Sequence, residues 1–213
     1  MSVWGSIHMS NRDWTGNGNS IYKTLGASNH TQEERETDDY YATDPYAIDV
    51  LIQDGGVNFS DNILEPACGE GHLSKRLEDY GYKVKSMDLI DRGYGITGVD
   101  FLTYNEKWDG DIVTNPPYKY AVQFIEHAMD IIPKGRRVYM FLKVLFLESK
   151  SRAELFKKYP PKIVYVSSNR ILCAKNGDFE KMKKGGGGAV AYAWFVFEKG
   201  YTGESKLKWI NQR

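Results

Sequence analysis

Two consecutive prolines directly after a short apolar run constrain this chain more than any other feature. Ile112 and Val113 are β-branched and typical of a buried strand, whereas Pro116 and Pro117 continue neither a strand ladder nor a helix. The proline after Asn115 favours an extended backbone there, so the asparagine side chain is held where the strand ends. In an open α/β sheet, ligands bind at the carboxyl ends of the strands. The fixed amide and the phenol ring that follows the prolines predict a pocket for a flat molecule carrying an amine.

The composition is that of one folded domain with a small appendage. The chain has 213 residues, 41% of them hydrophobic, which is enough for a core. Residues 1–37 are rich in Asn, Gly, Ser and charged side chains and predict an extended or partly disordered N-terminal segment. Residues 38–213 are predicted to form the folded domain.

Several classes of protein are disfavoured by the sequence. No apolar run approaches the ~20 residues of a membrane span, and the N-terminus lacks a signal-peptide pattern. We therefore expect a cytoplasmic protein without a membrane partner. The two cysteines, Cys68 and Cys173, have neither CxxC spacing nor a nearby histidine pair, so no metal site is expected.

Charge is distributed unevenly although the net charge is zero. Residues 1–61 contain 3 basic and 10 acidic side chains, whereas residues 149–184 contain 10 basic and 3 acidic ones. A neutral chain is not typical of a general nucleic-acid binder, but a basic segment provides phosphate contacts. Residues 149–184 therefore predict either a nucleic-acid contact or a solvated basic face without a partner.

A strand, a glycine-rich turn and a helix are predicted in succession between residues 62 and 80. Residues 66–71 read Pro-Ala-Cys-Gly-Glu-Gly, and glycines let a cofactor approach the backbone where a helix begins. The third glycine of the dinucleotide fingerprint is missing, so the turn taken alone also fits a tight connection.

Acidic residues follow at the ends of the next two predicted strands. Asp88 comes 17 residues after Gly71 and is placed to accept hydrogen bonds from ribose hydroxyls, or else to cap a helix. Residues 98–102 predict a third strand, where Asp100 would accept from an adenine amine and Phe101 would pack on its ring. Taken alone, this pair also fits a turn aspartate beside a core phenylalanine. Its place in a series of strand ends favours binding.

The second half of the chain completes an α/β pattern. A helix is predicted over 121–132 and a strand over 137–142, and the capping-box spacing at 151–154 predicts the start of another helix. Strands are predicted over 162–168 and 189–198. Because no convincing helix lies between these last two strands, they are expected to pair antiparallel.

Together these motifs resemble those of S-adenosylmethionine-dependent DNA N6-adenine methyltransferases of the phage and prophage type. The resemblance spans about residues 38–200, with EPACGEG at 65–71 before NPPY at 115–118, which is the gamma order of cofactor motif before catalytic motif. It implies S-adenosyl-L-methionine as cofactor. It also implies a Rossmann-like class I methyltransferase fold, with a mostly parallel seven-stranded sheet, one antiparallel strand, and helices on both faces.

The resemblance assigns roles to individual residues. The catalytic set is the second motif: Asn115, Pro116, Pro117 and Tyr118. The cofactor-binding set is Tyr41, Thr43, Asp44, Glu65, Pro66, Ala67, Cys68, Gly69, Gly71, Asp88, Asp100, Phe101 and Asn115. The resemblance implies that the Asn115 side-chain oxygen and the Pro116 carbonyl each accept a hydrogen bond from the N6 amine, and that Tyr118 stacks on an unpaired or flipped base.

DNA is the predicted partner. The expected contacts are basic side chains near the catalytic motif and in the basic segment: Lys119, Arg170, Lys175, Lys181, Lys183 and Lys184. Without a recognition domain, sequence specificity is expected to be short or relaxed, and a homodimer would enlarge the DNA footprint. Because NPPY also occurs in enzymes that methylate RNA base amines or protein glutamine, those substrates are the alternatives. The target sequence and a role in restriction–modification stay open.

Overall fold

The computed structural model describes residues 41–175, 177, 179 and 190–212. The predicted N-terminal segment, residues 1–37, lies outside these residues. The α-helices with described bounds are α1 (Tyr46–Gln53), α2 (His72–Asp79), α3 (Ala121–Ile131) and α4 (Ala153–Lys158). The strands are β1 (Tyr41–Thr43), β2 (Asn62–Glu65), β3 (Lys83–Ser86), β4 (Asp111–Thr114), β5 (Arg137–Lys143), β6 (Ile163–Ser167), β7 (Cys173–Lys175), β8 (Tyr192–Glu198) and β9 (Lys206–Ile210).

Seven strands form the main sheet, in the order β3-β2-β4-β5-β8-β6-β9. Strand β8 is antiparallel to both of its neighbours, and the other pairs are parallel. This confirms the predicted mostly parallel sheet with one antiparallel strand. The carboxyl ends of β2, β3, β4 and β5 meet at one edge, which is therefore where a ligand is expected.

Two strand assignments differ from the sequence prediction. Residues 98–102 contribute no strand, because the Asp100 carboxylate accepts from the Leu102 backbone N–H (2.9 Å) and turns the chain into a 3-10 helix over Phe101–Thr103. The seventh strand is instead β9, which pairs with β6 at the sheet edge. Lysines alternate with Leu207 and Trp209 along this strand, but the run is short and all of its residues except Ile210 are exposed.

Both faces of the sheet are covered. Along β4, Ile112 belongs to the apolar cluster under α3 and α4, whereas Val113 belongs to the cluster under α1 and α2. The same alternation runs along β5 and β8. A central strand buried on both faces reads as a continuous hydrophobic run, which is the pattern seen in β4.

A second, two-stranded sheet lies beside the main one. In it β1 pairs antiparallel with β7, with Thr43 opposite Cys173. Directly after β1, Asp44 accepts a hydrogen bond from the Tyr46 backbone N–H (3.0 Å) and so stabilises the first turn of α1. The pairing of β1 with β7 had no signal in the sequence pattern.

The Asp111 carboxylate ties together the amino ends of three strands. One of its oxygens accepts from the Ser60 backbone N–H (2.9 Å), and the other accepts from the Arg137 backbone N–H (2.8 Å). The Asp111 N–H in turn donates to the Ser60 hydroxyl (2.7 Å). This buried carboxylate therefore holds β4 in register with the residues that begin β2 and β5.

We expect Asp111→Ala to lower the unfolding free energy by about 1–3 kcal/mol, because two partly buried N–H donors lose their acceptor. Urea titration followed by circular dichroism measures this loss. The matched control is Asp109→Ala, which removes an 81% exposed carboxylate paired with Arg136 and should cost less than about 1 kcal/mol. An equal loss in the two variants would contradict the role given to Asp111.

Candidate active site

A cavity of about 540 Å³ opens at the carboxyl edge of the main sheet. Most of the residues assigned to a site from the sequence line it: Tyr41, Thr43, Glu65, Pro66, Ala67, Cys68, Asp88, Asp100, Phe101, Asn115, Pro116, Pro117, Tyr118 and Lys119. Among the assigned catalytic and cofactor-binding residues, Asp44, Gly69 and Gly71 do not line it. Tyr41 and Lys119, which lie 78 positions apart in the chain, thus line the same cavity.

The glycine turn is shaped by packing inside the protein. Gly71 precedes α2 in the left-handed conformation (φ 81°), and a Cβ placed on it would lie 2.3 Å from the Tyr94 ring. Both the backbone angle and this contact demand glycine. The Gly69 N–H donates to the Asp88 carboxylate (2.8 Å). The two glycines therefore position the turn, and the Tyr94 ring occupies the space that a side chain at residue 71 would need.

The two aspartates at the cavity both stabilise the local backbone and line the cavity wall. Asp88 accepts from the backbone N–H groups of Gly69 (2.8 Å) and Ile90 (2.9 Å) through different oxygens, and Asp100 accepts from Leu102 (2.9 Å). These bonds hold both carboxylates in place where they line the cavity. Each carboxylate oxygen retains a further acceptor site, since an ionised carboxylate accepts about four hydrogen bonds.

Phe101 lies mostly in the core. It is buried and packs against the rings of Phe124 (centroids 5.0 Å apart) and His127 (4.9 Å). It still contributes to the cavity wall. The two readings left open by the sequence are thus combined, because Phe101 is a core residue with one part facing the cavity.

The Asn115 side chain is oriented by groups from the small sheet. Its Nδ2 donates to the Thr43 hydroxyl (2.8 Å) and to the Tyr41 carbonyl (3.2 Å). A carbonyl oxygen only accepts, so the amide nitrogen faces β1 and the amide oxygen faces away from it. That oxygen, Oδ1, is buried and has no hydrogen-bond partner among the described residues. A buried acceptor without a donor is unfavourable, and a ligand amine would satisfy it.

Tyr118 is enclosed by other polar and aromatic side chains. Its ring is stacked with Tyr192 (centroids 6.1 Å apart), the Lys143 ammonium lies 4.7 Å from the ring centroid, and its hydroxyl donates to the Cys173 sulfur (3.8 Å). Burial raises the pKa of the Tyr118 phenol far above its usual range, and burial also raises the pKa of the Cys173 thiol to about 11. Both groups are therefore protonated at neutral pH.

Glu65 is a buried carboxyl group in the cavity wall. The Ser74 hydroxyl donates to it, and the hydroxyls of Ser74 and Ser86 lie 2.5 Å apart. Burial raises the pKa of Glu65 to about 8, although the Ser74 hydrogen bond opposes this shift. Glu65 is therefore mainly neutral at pH 7 and donates or accepts as an uncharged acid.

Sequence reasoning missed several cavity and site residues. His72 lines the cavity, its Nδ1 is buried without a partner among the described residues, and burial lowers its pKa. Cys173 and Tyr192 reach Tyr118 from β7 and β8, and Lys143 reaches it from β5. Only Lys143 had a sequence signal, since it ends a predicted strand at the same edge as Asn115.

The proposed nucleic-acid contacts are only partly described. Lys119 is exposed, and its ammonium lies 5.2 Å from the centroid of the Tyr120 ring. Arg170 is exposed, and the backbone of Lys175 pairs with Tyr41. Lys181, Lys183 and Lys184 lie outside the described residues.

Metal and membrane sites were searched over the described part of the chain. No group of three or more His, Cys, Asp or Glu side chains there is arranged to hold a metal ion. No helix among those residues has the length and apolar character needed to cross a membrane.

No family model matches the sequence, and no curated protein matches it. Solved structures do. A protein from Listeria monocytogenes, provisionally assigned to the class I S-adenosylmethionine-dependent methyltransferases, superposes with a TM-score of 0.51 at 16% identity, covering 79% of this chain and 63% of that one. The chain has the class I methyltransferase fold. It spans less than two thirds of the length of that protein.

Two further matches to methyltransferase-like folds are weaker. TrmN from Thermus thermophilus has a TM-score of 0.42 at 18% identity, over 72% of this chain and 48% of that one. The Burkholderia thailandensis 1,6-didemethyltoxoflavin-N1-methyltransferase has a TM-score of 0.45 at 11% identity, over 73% and 76% of the two chains. That enzyme was solved with S-adenosylhomocysteine bound. The predicted Rossmann-like class I fold is thereby confirmed by the first of the three structures.

We expect the stability of the protein to fall as pH rises from the ordinary carboxyl value of 4.5 to about 8, because Glu65 keeps its proton in the folded state over this interval. Above pH 4.5 the unfolded chain releases that proton, which favours unfolding. The unfolding free energy therefore falls by up to about 1.4 kcal/mol per pH unit. Below 4.5 both states hold the proton, so this effect vanishes.

Chemical denaturation of the wild type and of Glu65→Gln across this pH range measures the effect. The glutamine is neutral at every pH, so the difference between the two stability curves should follow the titration of Glu65. The exposed Glu154→Gln serves as control and should run parallel to the wild type. A Glu65→Gln curve that also ran parallel would contradict the raised pKa.

Proposed function

We propose that this protein transfers a methyl group from S-adenosylmethionine to the N6 amine of adenine in DNA. The observation that carries the proposal is the Asn115 amide, whose nitrogen is held by Thr43 and Tyr41 while its buried oxygen lacks a donor. A primary amine on a flat ring supplies such a donor. The motif resemblance described above supports adenine in DNA as the source of that amine.

The residues present fit the cofactor. A cavity of about 540 Å³ falls within the ~300–1,000 Å³ that small-molecule sites occupy. Asp88 and Asp100 offer carboxylate acceptors for hydroxyl and amine groups, and Phe101 offers an apolar edge. The unpartnered His72 Nδ1 and the uncharged Glu65 add polar groups on the same wall. Bound there, S-adenosylmethionine would supply an electrophilic methyl group carried by a sulfonium centre.

Several assigned residues would act through the cavity's shape. Gly69 and Gly71 set the turn that orients the wall formed by Pro66, Ala67 and Cys68. Asp44 caps α1 and so holds the end of β1, from which Tyr41 and Thr43 reach Asn115. These residues position the binding groups without lining the cavity themselves.

The chemistry asked of the protein is to make a weak nucleophile stronger. The lone pair of an adenine amine is delocalised into the ring, so the nitrogen attacks poorly. The amine would donate one hydrogen bond to Asn115 Oδ1 and one to the Pro116 carbonyl. These two hydrogen bonds would draw the nitrogen toward tetrahedral geometry and localise that lone pair. Two consecutive prolines keep both acceptors in one orientation, which is the positioning that such a transfer needs most.

No strong base takes part in this scheme. The phenol of Tyr118 and the thiol of Cys173 both have raised pKa values because they are buried, so neither is a base at neutral pH. The methylated nitrogen is positively charged and loses a proton readily. Tyr118 would instead stack on the target base, after the Lys143 ammonium has moved from its ring face.

The choice of DNA rests on charge as well as on the resemblance. The basic segment 149–184 and the exposed Lys119 beside the cavity suit a phosphate backbone. Incubating the protein with labelled cofactor and DNA, RNA or protein, followed by digestion to nucleosides or amino acids, tests this choice. N6-methyladenosine formed from RNA, or methylglutamine formed from protein, would overturn the DNA assignment while keeping methyl transfer.

We expect Asn115→Ala to reduce methyl transfer to DNA by at least about a hundredfold, because a transition-state acceptor held in a buried site is worth roughly 3 kcal/mol. Cofactor affinity measured by calorimetry should fall far less than methyl transfer, since Asn115 is one of many assigned cofactor contacts and the aspartates and the glycine turn are untouched. The exposed loop variant Asn105→Ala is the matched control and should retain full activity. Methylation by Asn115→Ala at close to the wild-type rate would contradict the proposed mechanism.

A further inference from the structure

An apolar projection directly follows β5 at the candidate active site. Val144–Leu147 forms a 3-10 helix, in which Phe146 is buried (8% exposed) while Leu145 is 68% and Leu147 42% exposed. Phe146 packs edge-on against the rings of Phe156 and Phe195. Because the middle residue points into the core, its two leucine neighbours point outward.

Arg152 holds this projection in one conformation. Its guanidinium donates to the carbonyls of Phe146 (2.7 Å) and Leu145 (3.0 Å), and to that of Glu148, and it also lies 4.7 Å from the centroid of the Phe146 ring. One planar cation thus satisfies three carbonyls of the turn. Leu145 and Leu147 are therefore exposed on a support that Arg152 holds in place.

The projection begins beside the proposed catalytic motif. It starts one residue after Lys143, whose ammonium lies 4.7 Å from the centroid of the Tyr118 ring. Strand β5 pairs with β4, so both strands deliver their carboxyl ends, and the residues that follow, to the same edge of the sheet. Lys119 in the cavity wall and Lys150 shortly after the projection are both exposed, as is Glu148.

We propose that Leu145 and Leu147 enter the base stack of double-stranded DNA next to the target adenine and occupy the gap that the extruded base leaves. This inference rests on the proposed function and names its substrate as a duplex. Extrusion of a base costs a few kcal/mol of stacking and pairing, and apolar side chains inserted between base steps offset such a loss. Lys119 and Lys150 provide the complementary charge for phosphates.

The test compares methylation of duplex and single-stranded substrates by Leu145→Ala. The substrates are mixed-sequence oligonucleotides rich in adenine, offered as perfect duplexes, as duplexes whose adenines face abasic sites, and as single strands. We expect the methylation rate of the variant on perfect duplexes to fall about tenfold or more. A tenfold fall corresponds to about 1.4 kcal/mol of lost stabilisation of the extruded state. Its rate on abasic duplexes and on single strands should stay within about twofold of wild type, because no pairing partner must then be replaced.

Two further variants sharpen the comparison. Leu147→Ala should show the same selective loss to a smaller degree, because this side chain is less exposed. Leu207→Ala is the matched control, since it removes an exposed leucine (45%) from β9 at the far edge of the sheet and should leave all three rates unchanged. Thermal unfolding of each variant confirms that the fold is retained.

The outcomes separate this inference from the function on which it rests. If Leu145→Ala lowers the methylation rate equally on all three substrates, or on none, the proposed insertion of the leucines is overturned, whereas adenine methylation itself is unaffected. If wild type uses both kinds of duplex but not single strands, rescue of Leu145→Ala on abasic duplexes decides, and its absence overturns the proposed insertion of the leucines. A change from dimer to monomer in light scattering, with unaltered substrate preference, would assign the leucines to contact with a second copy. Failure of wild type to methylate any DNA overturns the proposed function itself.

Discussion

Burial of β4 on both faces is the constraint on which the rest of the structure depends. All four of its residues are buried, with Ile112 packed toward α3 and Val113 toward α1. A strand covered on two sides has no freedom to shift its register, because a slip of one residue would reverse both faces. The carboxyl end of β4 is therefore an immobile point. The backbone of Asn115, which follows β4 directly, is therefore held in place, and the two prolines after it restrict its conformation further.

Low exposure then determines the chemical character of the site. The same burial that excludes water raises the pKa values of Glu65, Tyr118 and Cys173, so these three groups are mainly uncharged at neutral pH, while the carboxylates of Asp88 and Asp100 also line the cavity. The buried amide oxygen of Asn115 is the sharpest case, since its nitrogen donates to Thr43 while its oxygen has no hydrogen-bond partner among the described residues. These residues therefore offer hydrogen-bonding groups in fixed positions, and neither Tyr118 nor Cys173 is a base at neutral pH. Positioning is thus the main contribution that these residues offer to a transfer reaction.

The fold was largely predictable because its signals are local. Apolar alternation, the caps and the glycine and proline punctuation indicated the strands β2–β6 and β8 and the helices between them. Residues 98–102 were misread as a strand because the Asp100 side chain satisfies the Leu102 N–H and turns the backbone. Strand β9 was missed because its alternation of lysines with Leu207 and Trp209 is short and its residues are mostly exposed. The pairing of β1 with β7 was missed because it joins segments about 130 positions apart, as Thr43 and Cys173 are.

By itself the sequence determined that an asparagine, two prolines and a tyrosine follow a central strand, that a glycine turn follows β2, and that Asp88 lies just beyond β3. Backbone preferences of proline and glycine and the period of apolar residues act over a few positions, so they can be read along the chain. Only the tertiary structure decided which way the Asn115 amide faces, because its partners Tyr41 and Thr43 lie 74 and 72 positions away. It also decided that Tyr94 fills the glycine turn and that Arg152 braces two exposed leucines beside the site. Hydrogen-bond partners and burial are properties of distant segments brought together, and no local pattern encodes them.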